Sequence, residues 1–520
     1  MREFAFSLSP QELSRGLRQD YRSPKNEMWF DTLTNLRCSQ YGLIPPCLAS
    51  NPISSPTQTI SWPHPMIHRG EKVTLETFAT SVYQIDESTW SGTLQNVYSA
   101  ASPASTWTFT SGSKAWKFVS FRENWFLTNG LDFIYRLPAN SSDKVLAFST
   151  VTVQAIGKDV NQERLLLGGM EGTWLTGSTD FTSLFFPLWQ YAMKDRPDIY
   201  TFEDQAWSRN WIMFSDLAGG ATDTPFVTLM ALLGFPDTTS NASLYDLLYQ
   251  DIEQGRLGFF PLRSQGMVRH IQQLGDNIIC YCDDAIHLLT RDGTYYRQHK
   301  LLDIGVKGRS CVGGDHMEHV WIDSSNCLWR MRAGGGPERL YRSEFMDDLT
   351  AANVAIAIDQ QERDFYIGDG ALCYVMSPTG MFKTTRMPTS LCRPDTTGLV
   401  GVSSEVTDDT AWSFTLALGD LGVREMKTVK QIDLFTNEMS SVRAAWDYRY
   451  NDNETWKRTP LVRANLEKVL FPLKATALEF RLYCQGVFDS VTNSRIERIG
   501  VHYQNTGRRN TRGSRPVEGE

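Results

Sequence analysis

The densest set of potential metal ligands in this chain is Gly314-Asp315-His316-Met317-Glu318-His319, where two imidazoles and two carboxylates fall within six residues. Such a set could hold zinc if its side chains converged. They are not expected to converge. Val320 and Trp321 open an apolar run that reads as a strand, and on a strand a spacing of three sends His316 and His319 to opposite faces. The segment therefore reads as an exposed loop. Cys280-Tyr281-Cys282 places two thiols on one side of a strand, but no second Cys or His pair stands at zinc spacing. Neither place is expected to bind a metal, and nothing in the chain points to a cofactor.

Hydrolytic chemistry fares no better. Glycosidases need a pair of carboxylates, and propeller sialidases add an arginine cluster and a tyrosine nucleophile. Arg291-Asp292-Gly293-Thr294-Tyr295 and Glu171-Gly172-Thr173-Trp174 have the look of sialidase Asp-box turns but not the Ser-x-Asp-x-Gly-x-Thr-Trp spacing, so they read as hairpin turns. A Gly-x-Ser-x-Gly elbow, a P-loop and a dinucleotide fingerprint are all absent from the sequence. The chain is not expected to be an enzyme. An alternative is a carbohydrate-binding or glycoside-hydrolysing propeller in which Trp321, Trp329 and Tyr374 stack on sugar rings, although packing between strands accounts for the same aromatics.

These residues sit on a repeat. A short pair of apolar strands around a tight polar turn occurs seven times, centred on Ser81, Asn129, Gly169, Asp216, Asp283, Asp323 and Asp369. Five of the six spacings between centres fall in the range 40–48 residues, the length of a four-stranded propeller blade. Period-2 strands bounded by Gly, Asp and Asn exclude helical repeats of similar length. The expected fold is all-β, a β-propeller of about seven blade-like repeats over 71–400.

Other segments flank or interrupt that repeat. Residues 1–70 read as an N-terminal arm and linker, with a capped helix at 9–18 and six prolines in 45–66. The spacing from Asp216 to Asp283 is 67 residues, and the excess reads as a helical insertion at about 217–260. Leu244, Leu247, Leu248 and Ile252 follow a Ser cap at helical spacing there. Phe226, Leu229, Met230 and Leu233 are candidate contacts to a neighbouring subunit or partner, because insertions in repeat folds gather on one face; packing on the protein's own strands is the plainer reading. After 400 the pattern changes. Trp446, Tyr448 and Tyr450, then Leu478, Phe480, Leu482 and Cys484, then Ile499, Val501 and Tyr503, each alternate with mostly polar neighbours. A β-sandwich-like platform over 401–507 is expected, followed by a basic, flexible tail over 508–520.

Composition narrows the partners. The net charge is −8, and the tail's four Arg and two Glu leave −10 on the rest. Phosphate binding by bulk charge needs concentrated Lys and Arg, so a nucleic-acid binder of that kind is not expected. The most apolar run, 225–236, is too short to span a bilayer, and the N-terminus has no signal-peptide core. Nine cysteines, several at strand positions, fit free thiols.

Both ends of the chain carry a resemblance. The segment Asn35-Leu-Arg-Cys-Ser-Gln-Tyr-Gly-Leu-Ile-Pro-Pro46, then LEFRLYCQG at 478–486, then IERIGVHYQNTGRRNTRG at 496–513 resembles the tail nozzle, or DNA-stabilisation, proteins of short-tailed double-stranded DNA bacteriophages. The resemblance implies a structural virion protein of the tail, a propeller joined to a sandwich platform. Such a protein assembles in the host cytoplasm as a homo-oligomeric ring, commonly a hexamer, that lines the channel for genome retention and ejection. Its partners would be the portal-proximal adaptor and other tail proteins, with double-stranded DNA in transient passage. An acidic lumen would let the duplex slide rather than grip it. Arg508, Arg509 and Arg512 are candidate contacts to a neighbouring carboxylate surface.

Overall fold

In the computed structural model the described residues fall within 3–46, 62–96, 117–172, 207–215, 258–349, 354–403, 411–463 and 469–505, and not every residue inside those spans is described. The described chain is nearly all β. Helical geometry appears among these residues at Pro10–Leu13, at Trp207–Asn210 and at Met346. Two units divide the chain, one of 49–359 with 388–404 and one of 1–48 with 360–387 and 405–520.

The first unit consists of small antiparallel sheets, each threaded in chain order. Sheet A is Trp62–His68, Glu71–Phe78, Ser81–Ile85 and Gln95–Asn96; sheet B is Lys117–Phe121, Asn124–Thr128 and Tyr135–Pro138. Sheet C is Val151–Asp159, Arg164–Gly172, Trp211–Phe214 and Gly258–Pro261. Sheet D is Val268–Leu274, Asn277–Cys282, Ile286–Asp292 and Tyr295–Leu302, and sheet E is Val312–Gly314, Glu318–Ile322, Leu328–Arg332 and Glu338–Tyr341. First strands meet first strands. Val151–Asp159 packs on both Lys117–Phe121 and Val268–Leu274, Val312–Gly314 packs on Ala355–Asp359, and Pro388–Cys392 packs on both Ala355–Asp359 and Trp62–His68.

Strand Asn277–Cys282 shows why its sequence runs apolar without a break. Ile278, Cys280 and Cys282 pack with Ala155, Leu166, Ile212 and Val268, while Ile279 and Tyr281 pack with Val312, Trp321 and Met331. Both faces of sheet D are covered, so neither parity of the strand can be polar. Cys280 and Cys282 thus share a face as expected, in an apolar cluster that pushes both thiols up.

Two expected turns are turns for a local reason. Asp323 Oδ1 accepts from the amides of Ser325 and Cys327, both at 2.8 Å, and Asp369 Oδ1 accepts from Ala371 and Leu372, both at 2.9 Å. Such Asx turns let one carboxylate stand in for a backbone acceptor. Asp283 lies between Asn277–Cys282 and Ile286–Asp292 and binds Arg269 through both carboxylate oxygens. Gly169 is different. It lies inside the strand Arg164–Gly172 with φ +65°, and a Cβ there would collide with the Val268 carbonyl and Gln154. The glycine serves close approach of sheet D to sheet C rather than a turn. Asn129 and Asp216 lie outside the described residues.

The second unit contains two larger sheets. In one, Phe30–Thr34, Ala411–Gly419, Glu479–Phe488 and Met439–Arg449 run antiparallel. Burial alternates perfectly along Glu479–Phe488, which buries Phe480, Leu482, Cys484 and Phe488. In the other, Arg495–Asn505 pairs with Glu3–Leu8, Gly42–Ile44 and Lys427–Asn437. Ile499 and Val501 are fully buried, and Tyr503 nearly so.

Several expected boundaries are placed differently. Residues 1–48 group with 405–520 rather than standing apart as an arm, because Glu3–Leu8 and Phe30–Thr34 complete the hydrogen bonding of strands from the far end of the chain. Trp62–His68 is a strand of sheet A. The helix expected at 9–18 is described as a turn over Pro10–Leu13, with the Leu13 amide donating to the Ser9 carbonyl; Gly16, at φ +70°, has left helical geometry. The seventh repeat groups with the second unit, since Thr34 pairs with Lys383 beside the hairpin of Cys373–Ser377 and Gly380–Thr384. Gly258–Pro261, at the end of the expected helical insertion, is a strand of sheet C; 216–257 lie outside the described residues, as does the tail beyond 505.

Candidate functional site

Three strands that begin consecutive sheets bring basic and amide side chains together. Lys117 opens the first strand of sheet B, Gln154 lies in the first strand of sheet C, and His270 and Gln272 lie in the first strand of sheet D. Arg309 joins them from the connection between sheets D and E. Strand alternation puts His270 and Gln272, two residues apart, on the same face.

Arg309 is anchored through the backbone of sheet B. Its Nη2 donates to the Thr128 carbonyl at 2.9 Å. Thr128, itself fully buried, donates its hydroxyl to the Val153 carbonyl at 2.6 Å and accepts from the Gly130 amide at 3.1 Å. Gln154 Nε2 donates to the Gly130 carbonyl at 2.6 Å. Glycine is required at 130, because φ is +79° and a Cβ would strike Arg309 Nη1 and Gln154 Oε1. The Arg309 Nε and Nη1 groups, out of solvent, have no hydrogen-bond partner. Leaving buried donors unmade costs about 1–3 kcal/mol each.

The histidine tautomers follow from the network. Gln272 Nε2 donates to the Gly314 carbonyl at 2.8 Å, which turns Gln272 Oε1 toward His270 Nε2 at 2.9 Å. His270 therefore carries its proton on Nε2, and its Nδ1 is a buried lone pair with no partner. His270 is 7% exposed. His319 Nε2 donates to the Gln273 carbonyl at 3.2 Å, so its Nδ1 accepts from the Tyr281 hydroxyl at 2.9 Å.

Charge in this cluster is one-sided. Burial, helped by Arg309, pushes Lys117 down to about 7, and burial with Arg269 pushes Arg309 down to about 9. His270 is held well below its usual range by burial, with Lys117 and Arg309 adding to the effect. Burial pushes His319 down to about 4. Arg269 is the one with a carboxylate, gripping Asp283 through Nε and Nη2 at 2.6 and 2.9 Å. Among the described residues no carboxylate pairs with Lys117 or Arg309. The arrangement offers donors and positive charge, with one unmatched acceptor. It presents no nucleophile and no acid–base pair.

The residues singled out by sequence distribute otherwise. His319 is fully buried on its strand and His316 is exposed in the preceding loop, so the two do not share a face. The loop reading thus fits His316 and not His319, whose ring is drawn inward by Tyr281. Trp321 and Tyr374 are buried in the core and cannot present a ring face to a sugar. Trp329 stacks on Trp321 with centroids 6.2 Å apart, and Arg339 lies over its ring at 5.9 Å. Gly293, at φ +64°, makes the turn between Ile286–Asp292 and Tyr295–Leu302. Phe226, Leu229, Met230, Leu233, Arg508, Arg509 and Arg512 lie outside the described residues. Lys117, His270 and Arg309 escaped the sequence reading because they share no motif; each is a single basic residue far from the others in the chain.

No family model and no curated protein matches this chain. Solved structures that resemble it include Raptor from Chaetomium thermophilum, at TM-score 0.34 and 8% identity over 60% of this chain and 23% of that one. The extracellular domain of the hybrid two-component system BT4673 from B. thetaiotaomicron resembles it at TM-score 0.33 and 9% identity over 79% of this chain and 46% of that one. BamB from Moraxella catarrhalis resembles it at TM-score 0.33 and 9% identity over 69% of this chain and 81% of that one. The chain thus spans less than half the length of the first two. Similarity this low carries no functional argument.

Proposed function

We propose that this chain is a structural, non-catalytic virion protein of a bacteriophage tail, a ring-forming nozzle subunit around the channel for genome retention and ejection. One observation supports this reading above the rest. The segments that resemble tail nozzle proteins, 35–46, 478–486 and 496–505, come together in one unit although they lie at opposite ends of the chain. Leu43 pairs with Ile496, and Gly42, at φ +112°, leaves no room for a Cβ against the Ile496 carbonyl. Asn35, at φ 55° and fully buried, donates to Thr385 Oγ1 at 3.0 Å and the Ala411 carbonyl at 2.8 Å, and accepts from the Thr385 amide at 2.9 Å. A motif whose residues tie three chain segments together is a structural motif, as a platform requires.

The finer architecture belongs to the same proposal. Sheets A to E would be blades of a propeller that closes through the packing of Pro388–Cys392 on Trp62–His68, and the two sheets of the second unit would form the sandwich platform. Ring neighbours would meet the apolar 226–233 segment and the arginines of 508–512. Co-expression with portal and adaptor proteins, followed by sizing and negative-stain imaging, tests this reading. A ring carrying this chain is expected. A chain that stays unbound and monomeric in their presence overturns it.

A further inference from the structure

The outer face of the sheet through Met439–Arg449 carries its positive charge in two different ways. Arg443, Asp447 and Arg449 share that face with Arg481, Tyr483 and Gln485 of the neighbouring strand Glu479–Phe488, whose opposite parity is core. At one end every arginine is matched. Arg458 binds Asp447 through Nε and Nη2 at 2.6 and 2.9 Å and lies over the Tyr483 ring at 4.2 Å. Arg449 pairs with Glu479, Arg481 pairs with Asp31 at 2.9 Å, and the two lie over Trp456 at 4.7 and 4.0 Å. The other end breaks the pattern. Arg443 stands directly opposite Arg463; both are exposed, and among the described residues neither side chain has an ion pair or a hydrogen bond. Like charges placed directly opposite destabilise a sheet. Gln485, on the other side of Arg443, accepts from the Tyr483 hydroxyl at 2.7 Å, which leaves its amide hydrogens to extend the row of donors.

We propose that the row Arg463, Arg443 and Gln485 docks an extended acidic segment of another protein, whose carboxylates accept hydrogen bonds from these three side chains. Both arginines are open to water and Gln485 is half-buried, so a partner reaches the row without any rearrangement of the fold. The row offers donors and positive charge, the complement of a carboxylate, which only accepts. Carboxylates on the same face do not compensate it, because Asp447 is held by Arg458 and Glu479 by Arg449. Neighbouring strands lie about 4.8 Å apart, so three adjacent donors span about 10 Å, which about three residues of an extended chain cover. Two observations favour protein over nucleic acid. Guanidinium groups cover Trp456 and Tyr483, so those rings are not offered for base stacking. The net charge of −8 repels a long polyanion, whereas a short segment meets chiefly the charges within a screening length of about 8 Å.

The proposal does not depend on the tail-subunit reading, and its test uses the isolated full-length chain without portal or adaptor. Fluorescence anisotropy at matched ionic strength compares a labelled peptide of alternating Glu and Thr, its Lys and Thr counterpart, and single- and double-stranded DNA oligonucleotides. The acidic peptide is expected to bind, more weakly as salt rises, and the basic peptide is expected not to bind. The double variant Arg443→Ser, Arg463→Ser should bind the acidic peptide about tenfold more weakly, as the loss of two exposed ion pairs implies. Arg495→Ser, in the other sheet and paired with Glu497, should leave binding unchanged. Because the double variant removes a like-charge pair, its melting temperature should hold or rise, so that lost binding is not lost fold. An acidic peptide that does not bind overturns the proposal, as does equal affinity in the double variant or tighter binding of either oligonucleotide. Sedimentation of the chain alone covers the remaining occupant: salt-sensitive self-association abolished by the double variant would assign the row to a second copy and overturn the proposal too.

Discussion

Two buried polar clusters in the same unit handle charge in opposite ways. At the end of Val151–Asp159, the fully buried Asp159 accepts from Arg291 Nε at 2.8 Å, from Arg291 Nη2, from the Tyr296 hydroxyl at 2.9 Å and from the Asn161 amide at 3.0 Å. Every lone pair finds a donor, and the pairing holds Arg291 above its ordinary value. Sheets C and D are thereby fastened by an ion pair. Around Lys117 and Arg309 the positive charges face each other instead, and both are pushed down. Burial is common to the two clusters; satisfaction is not. The first is a fastener that needs nothing else, whereas the second is a fold element left incomplete by its own residues.

The largest effect should come from breaking the satisfied cluster. Asp159→Ala would leave the partly exposed Arg291 and the buried Tyr296 without their acceptor, and urea unfolding should show a loss of about 3 kcal/mol. A loss under about 1 kcal/mol would erase the contrast, since it would mean that water satisfies the arginine as well as Asp159 does.

Acid should strain the histidine side of the contrast next. His319 and His287, both fully buried, have folded values of about 4, against an ordinary value near 6.5. The unfolded chain therefore binds more protons than the folded one between those limits. Stability from each is complete above about pH 6.5 and is lost as pH falls toward 4, by roughly 2–3 kcal/mol per histidine. Denaturant midpoints measured from pH 7.5 to 4.5 should fall accordingly, and His319→Phe should flatten the slope. An unchanged slope in that variant would place the acid sensitivity elsewhere.

Removing an uncompensated cation should help the protein. At pH 7, Lys117→Met is expected to raise stability by about 1 kcal/mol, because it relieves repulsion with Arg309 and the burial of an ammonium. A destabilised variant would show that Lys117 is paired in solution. The smallest effect is expected at His287, whose two ring nitrogens are buried without partners. His287→Leu should raise stability at pH 7 by up to about 1 kcal/mol, since no hydrogen bond is lost and an unpartnered buried N–H is removed. Thermal denaturation would show the difference directly.

Local features were legible in the sequence. The alternation of Phe480, Leu482 and Cys484 predicted which side of Glu479–Phe488 is buried, and Asp323 and Asp369 marked turns because an Asx turn is built from a few neighbouring residues. Gly169 misled, since a glycine that makes room for the Val268 carbonyl looks in sequence like one that makes a turn. The expected helix at 9–18 shrank to Pro10–Leu13, where strand pairing of Glu3–Leu8 and a bridge at Leu17 compete for the same segment.

By itself, then, the sequence determined strand parity, turn placement and the absence of a familiar catalytic motif, because these depend on side chains a few residues apart. Tertiary structure alone decided that Glu3–Leu8 pairs with Arg495–Asn505, and that the partly buried Lys117 and Arg309 have no carboxylate partner among the described residues. Those residues meet only because the first strands of successive sheets pack side by side, and burial then gives their unpaired charge a weight it would not have in water.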